Sequence, residues 1–164
     1  MDIIEQYKEL HKQGWFPGGA IKMHIPEIIE LVKQYSADTY LDYGCGKAEQ
    51  YLKYGLKDRL GVKLVSLYDP GANVAGVSNT KPLGKFDAVV CTDVLEHVEN
   101  PEEVIAELIG YARKFLFCSI SCKPSKPNKK LLDGRPVHIT LHPPEWWNQI
   151  LYSRDLPIFV RYDV

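Results

Sequence analysis

No stretch of this sequence is apolar for long enough to cross a bilayer, which takes about 20 residues. The first residues, Met1-Asp2-Ile3-Ile4-Glu5, are acidic and lack the basic-then-apolar order of a signal peptide. These absences point to a cytoplasmic protein with no membrane partner. An excess of one charge is also missing. The net charge is −1, so no global basic field recruits nucleic acid. Cysteine is scarce. Of Cys45, Cys91, Cys118 and Cys122, three lie in apolar segments that read as buried strands, where a free thiol behaves as a small hydrophobe. A disulfide framework is therefore not expected. There is no internal repeat, no low-complexity tract and no evident acid–base dyad.

What is present is ordinary globular material. The 164 residues suit one domain spanning 1–164, and a hydrophobic content of 45% is enough for a real core. Residues 3–12 read as a short helix, broken by Trp15-Phe16-Pro17-Gly18-Gly19. That break reads equally as a lid over a bound ligand or as a plain connector. Pro26 suits a first helical turn, and Ile25, Ile28, Ile29 and Val32 then share one face. Residues 39–43 read as a buried strand running into a glycine turn, followed by a helix over 47–55. Residues 64–68, 86–92, 115–120 and 158–162 read as further strands. Asn100-Pro101-Glu102-Glu103 carries helix-start signals, with Asn100 as cap and Glu103 at capping-box spacing. A long polar loop covers 121–136, and Pro143-Pro144-Glu145 opens a short helix. Strands alternating with helices imply a mostly parallel sheet with helices on both faces, a three-layer α/β fold. In such sheets ligands bind at the carboxyl ends of the strands.

The densest signal, Leu41-Asp42-Tyr43-Gly44-Cys45-Gly46-Lys47-Ala48, stands at such an end. Gly44 and Gly46 let the backbone turn sharply and approach a ligand, and the helix behind would offer amides to it. Asp42 restricts what that ligand is. A dinucleotide would bring a phosphate there, and a carboxylate about 4 Å from one phosphate charge costs roughly 4 kcal/mol at an effective dielectric near 20. The dinucleotide fingerprint also wants a glycine where this chain has Glu49. A guest carrying positive charge is attracted instead. Asp69, ending the second strand before Pro70-Gly71, has the position of an acid that accepts both hydroxyls of a ribose, or of one that simply starts a turn.

With Asp69 and the run Phe86-Asp87-Ala88-Val89-Val90-Cys91-Thr92-Asp93-Val94-Leu95-Glu96-His97-Val98, the glycine turn resembles the class I S-adenosylmethionine-dependent methyltransferases over roughly residues 24–120. The tail from Gly134-Arg135-Pro136-Val137-His138 through Trp146-Trp147 is similar to small methyltransferase-like proteins of bacteriophages. The resemblance implies a Rossmann-like fold, one domain over 1–164, and S-adenosylmethionine as cofactor. Its ammonium and sulfonium suit Asp42. By position, Asp42, Gly44 and Gly46 would hold the methionine end and Lys47 would meet its carboxylate. Asp69 would bind the ribose, while Thr92, Asp93 and Val94 would line the wall near the sulfonium. Asp93, His97 and His138 are the expected substrate-side residues.

Two departures from the family pattern stand out. Ala48 occupies a usual glycine, and only sixteen residues separate Asp69 from Phe86, so the sheet is abbreviated between its second and fourth strands. Residues 72–78 read as a short strand there, with Ser78 or Asn79 reaching the adenine.

The methyl acceptor is expected to be a small molecule or a simple terminal group, because no appended recognition domain is present. A non-catalytic module that binds S-adenosylmethionine or its demethylated product is the alternative. Lys123, Lys126, Lys129 and Lys130 lack interleaved aromatics and read as a solvated loop rather than a nucleic-acid surface. Cys118, Cys122, His138 and His142 satisfy a loose zinc spacing, but Cys118 belongs to a buried strand, so no metal is expected. Glu96 reads as a surface group beside His97. Trp146 and Trp147 read either as two core residues or as one core residue and one at a substrate site, since neighbours on a helix face different ways.

Overall fold

A computed structural model describes residues 1–164. Five strands form one sheet: β1 (Thr39–Tyr43), β2 (Leu64–Tyr68), β3 (Phe86–Thr92), β4 (Ala112–Ser121) and β5 (Ile158–Asp163). Their order is β2-β1-β3-β4-β5 and every neighbouring pair is parallel. Chain order reverses between β1 and β3, which makes the crevice beyond Tyr43, Tyr68 and Thr92 the switch point of the sheet. No helix is long and apolar enough to cross a membrane.

The two-residue period of the strands sorts the core into two layers. Tyr40, Ala88, Val90, Phe115 and Phe117 face α2 (Ile25–Gln34), whose Ile25, Ile28, Leu31 and Val32 are buried against them. Leu41, Val89, Cys91, Leu116 and Cys118 face the opposite way, onto Ile105 and Leu108 of α5 (Pro101–Tyr111) and Trp147 of α6 (Pro144–Ile150). Strand β3 is buried along its whole length because it has strands on both edges and helices on both faces. All four thiols are free, and three are fully enclosed.

A third, smaller cluster lies across the carboxyl edge. Helix α1 (Ile3–Lys12) is capped by the Asp2 carboxylate, which accepts from Glu5 N–H at 2.8 Å. Its Leu10 packs with Leu131 and Val137 from the loop after β4. Gln6 exchanges hydrogen bonds with Asp133, donating at 2.9 Å and accepting at 3.1 Å. The N-terminal helix and the lysine-rich loop thus roof the same crevice.

Four local expectations are corrected. The helix expected over 47–55 is two short ones, α3 (Glu49–Leu52) and α4 (Leu56–Leu60), because Ala48 (φ 54°) and Gly55 (φ 68°) are left-handed and break the repeat. Residues 72–78 form no strand. A single bridge joins Ser78 to Tyr68, since Pro70, Gly71 and the left-handed Gly76 (φ 90°) keep the chain turning. Pro101 does open α5, but the Asn100 side chain makes no capping bond. Glu96 is not on the surface: it is fully buried.

Candidate functional site

The glycine turn is pinned by its own neighbours. Gly44 and Cys45 both donate to the Tyr68 carbonyl, at 2.7 and 3.1 Å. Gly46 N–H donates to Asp69 Oδ2 at 2.9 Å. Lys47 N–H goes to Phe16 O at 3.0 Å and Glu49 N–H to Pro17 O at 3.2 Å. The segment around Phe16 therefore lies against the turn rather than free of it. Approach is close enough that only glycine fits. A Cβ on Gly46 would stand 2.5 Å from Phe16 O, and one on Gly18 2.4 Å from Cys45 O. On Gly44 it would meet Val94 Cγ2 at 2.3 Å.

These bonds use up the amides expected to face a ligand, and α3 is too short to present a fresh set. What the turn leaves over is an acceptor. Asp42 is 2% exposed, and its Oδ1 has no partner. Burial raises its carboxyl from 3.8 to about 7, opposed by a Tyr51 hydroxyl and reinforced by the charge of Asp69. The Tyr51 hydroxyl is shared with Tyr40 at 2.9 Å.

Asp69 is more fully engaged than the sequence implied. Besides Gly46, its carboxylate accepts from Gly71 N–H at 2.8 Å and Ala72 N–H at 3.0 Å, and His11 Nε2 lies 3.4 Å away. It is both the turn-starting aspartate and a border of the crevice. His11 Nδ1 is another buried atom without a partner. Burial lowers the His11 imidazole, with Lys47 adding to the effect and Asp69 opposing it.

A cavity of about 660 Å³ fills the crevice, within the range of small-ligand sites. Asp42, Gly44, Gly46 and Asp69 line it, together with Thr92, Asp93 and Val94 and with His97 and His138. Lys47 is not part of this wall, and neither are Ser78 and Asn79. Asn79 instead donates to Ala72 O at 2.7 Å, and Ser78 N–H donates to Leu67 O at 2.9 Å; both hold the loop. The sequence reading missed Tyr7 and His11, which come from the N-terminal helix onto the same cavity, where Phe16 to Gly19 of the segment read as lid or connector also line it. Tyr7 and His11 are one helical turn apart, the signal that one face of α1 carries both.

Backbone carbonyls organise the two histidines. His97 Nδ1 lies 2.9 Å from Val137 O, and His138 Nδ1 lies 2.7 Å from Lys123 O. A carbonyl only accepts, so each Nδ1 carries a proton, and in the neutral ring Nε2 keeps a lone pair. Burial, with His138 adding to it, lowers His97 to about 4, which leaves it neutral near pH 7. Tyr7 Oη lies 3.1 Å from Val137 O and 3.2 Å from His97 O. Asp93, left-handed at φ 52°, accepts from Ser119 Oγ at 2.9 Å, and burial raises its carboxyl. Behind the histidines, Glu96 Oε1 accepts from Ser121 N–H at 2.8 Å, while Oε2 has no partner. Burial, with Asp93 adding to it, lifts Glu96 from 4.5 to about 8.

Apart from Lys129, which lines the cavity, the other sequence candidates fall outside this site. Cys118 is fully buried in register with Cys91, and His142 stacks on Trp146 at 3.8 Å, so the zinc spacing does not close in space. Trp147 is buried, with Nε1 donating to His142 O at 3.2 Å. Trp146 borders a separate shallow cavity with Glu99 and Thr140. Lys123 pairs with Asp163 at 2.7 Å, and the Lys129 ammonium lies 5.7 Å from the Trp15 ring centroid.

Among curated proteins none matches the chain. A family described as a methyltransferase domain matches residues 22–156, from the turn before α2 to the approach of β5. With that match running through the parallel sheet and the crevice at its switch point, the chain belongs to the methyltransferase-domain family.

Proposed function

We propose that the protein is an S-adenosylmethionine-dependent methyltransferase, with the donor seated in the cavity beyond β1, β2 and β3. One observation carries the reading. The glycine turn offers no free amide for a phosphate, and behind it stands a buried carboxylate with an unpartnered oxygen. A cationic guest relieves both features. In this reading Asp42, Gly44 and Gly46 hold the methionine end. Asp69 keeps spare lone pairs for the ribose hydroxyls, because a carboxylate has about four acceptor sites. Thr92, Asp93 and Val94 form the wall beside the sulfonium. The bound donor supplies an electrophilic methyl group. The chain contributes position and dryness, which such a transfer chiefly needs. Asp93, His97 and His138 are the acceptor-side residues, and a cavity of about 660 Å³ favours a small molecule or a simple terminal group. The roof formed by α1 supports treating 1–164 as one domain. The Gly134–Trp147 tail supports the narrower likeness to phage proteins, and the free, enclosed thiols fit a cytoplasmic setting.

A non-catalytic binding module is the second reading. It is favoured by the engagement of both Asp69 oxygens and by the absence of a strand between residues 72 and 85. Calorimetry with S-adenosylmethionine and its demethylated product, followed by mass detection of methylated acceptors, separates the two. Binding of both with methyl transfer supports the enzyme. Binding without transfer across a broad acceptor panel supports the module. Binding of neither, or tight binding of a nicotinamide dinucleotide, overturns both.

A further inference from the structure

We propose that Glu96, His97 and His138 form a binding site for one divalent transition-metal cation at the wall of the cavity. One ligand atom from each residue lies within 4.8 Å of the other two. Each can ligate through a lone pair, the Glu96 carboxyl once it has lost its proton. Each histidine gives its Nδ1 proton to a backbone carbonyl, which leaves Nε2 as its free nitrogen. The Glu96 carboxyl is fully buried, with Oε1 bonded to Ser121 and Oε2 unpartnered. A bound cation would give the unpartnered Glu96 oxygen the partner it lacks.

The surrounding bonds are those that metal sites require. A ligating histidine usually gives its second nitrogen to a carbonyl or carboxylate, which fixes both ring and tautomer. Here Val137 O and Lys123 O play that part, and Ser121 N–H orients the carboxylate. Ligands about 2.1 Å from a cation lie roughly 3–3.5 Å apart, so the triangle must contract by about an ångström. His138 sits in a loop, which allows that movement. Two imidazoles and one carboxylate favour zinc, iron, cobalt or manganese over magnesium or calcium. Such three-ligand sites leave coordination positions open. Here the histidines border the cavity while Glu96 stands behind them. The zinc spacing in the sequence is a different set: it shares only His138 and lacks Glu96 and His97.

This inference does not rest on the donor. The test strips the full chain with a chelator and titrates it with Zn²⁺ and, separately, Mn²⁺, reading heat and metal content after gel filtration. One equivalent per chain is expected. His138→Ala, whose site lies outside the core, should weaken binding at least tenfold with an unchanged circular dichroism spectrum, and His97→Ala should do the same. His142→Ala should bind as the parent does. Retention of no cation overturns the proposal. Binding unaltered in His138→Ala and His97→Ala overturns it too, as does equal loss in His142→Ala. The outcome is independent of whether S-adenosylmethionine binds.

Discussion

The two ends of the sheet treat buried charge in opposite ways. At the amino end, Asp87 opens β3 with its carboxylate satisfied. Oδ2 accepts from Asp38 N–H at 2.8 Å, Lys114 lies 3.6 Å away, and Arg113 lies 4.0 Å from Oδ1. Burial pushes its carboxyl up, but these backbone bonds and cations outweigh that and hold it below the ordinary value. At the carboxyl end, Asp42 and Glu96 are pushed up by burial, and each keeps an oxygen with no partner. His11 Nδ1 is the third such atom; Asp42 and His11 line the crevice, and Glu96 precedes His97, which also lines it. One end is closed for stability. The other is left incomplete for a guest, with the cost of the missing partners borne by the rest of the fold.

That contrast is sharpest in Asp42. A carboxyl raised from 3.8 to about 7 contributes nothing below pH 4, where folded and unfolded chains are both protonated. Between pH 4 and 7 it increasingly opposes folding, and above 7 the penalty levels off at roughly 4 kcal/mol as a ceiling. Asp42→Asn should therefore be more stable than the parent at pH 8 by up to that amount and equal to it at pH 4, read by urea unfolding. The same variant should bind S-adenosylmethionine at least tenfold more weakly, by calorimetry at pH 8. Equal stability at pH 8 would show that Asp42 is as satisfied as Asp87.

Asp87→Ala should have the opposite sign. It strands the Asp38 amide and two cations, so stability should fall by about 1–3 kcal/mol at pH 7. Because the folded value is depressed, the difference should be full above the ordinary carboxylate range and shrink as pH falls through it. Donor binding should be untouched. A pH-independent difference would remove the electrostatic account of the amino end.

Gly46→Ala adds to a left-handed φ of 57° a Cβ 2.5 Å from the Phe16 backbone oxygen, so it should cost more than the ~1 kcal/mol of left-handed strain alone and lower the melting temperature by more than a few degrees. Donor affinity should fall with it, because the turn must move. Gly134→Ala has the same kind of φ, 88°, and no neighbour within 4 Å. It should lose stability without losing donor affinity.

The strands were readable because β1, β3 and β4 carry near-continuous apolar runs, and parallel burial demands them. Strand β2 and α2 followed from local pattern and turn residues. The break between α3 and α4 was not readable. Whether Ala48 is left-handed depends on Phe16 and Pro17 clamping the turn, a contact across about thirty residues of chain. Asp69 was readable as an important acid, but its bonds to Gly46, Gly71 and Ala72 were not. Glu96 and His97 were visible as neighbours in the sequence. Nothing local indicated that one is enclosed and bonded to Ser121, or that His138 arrives beside the other.

The sequence by itself determined the alternation of strands and helices, the glycine turn led by Asp42, and the acids and histidines that follow the strands. These are local matters of periodicity, backbone freedom and charge. Only the tertiary structure decided which polar atoms found partners. Desolvation and hydrogen bonding depend on groups far apart in the chain, and it is their balance that leaves Asp42 and Glu96 each one bond short beside the same cavity.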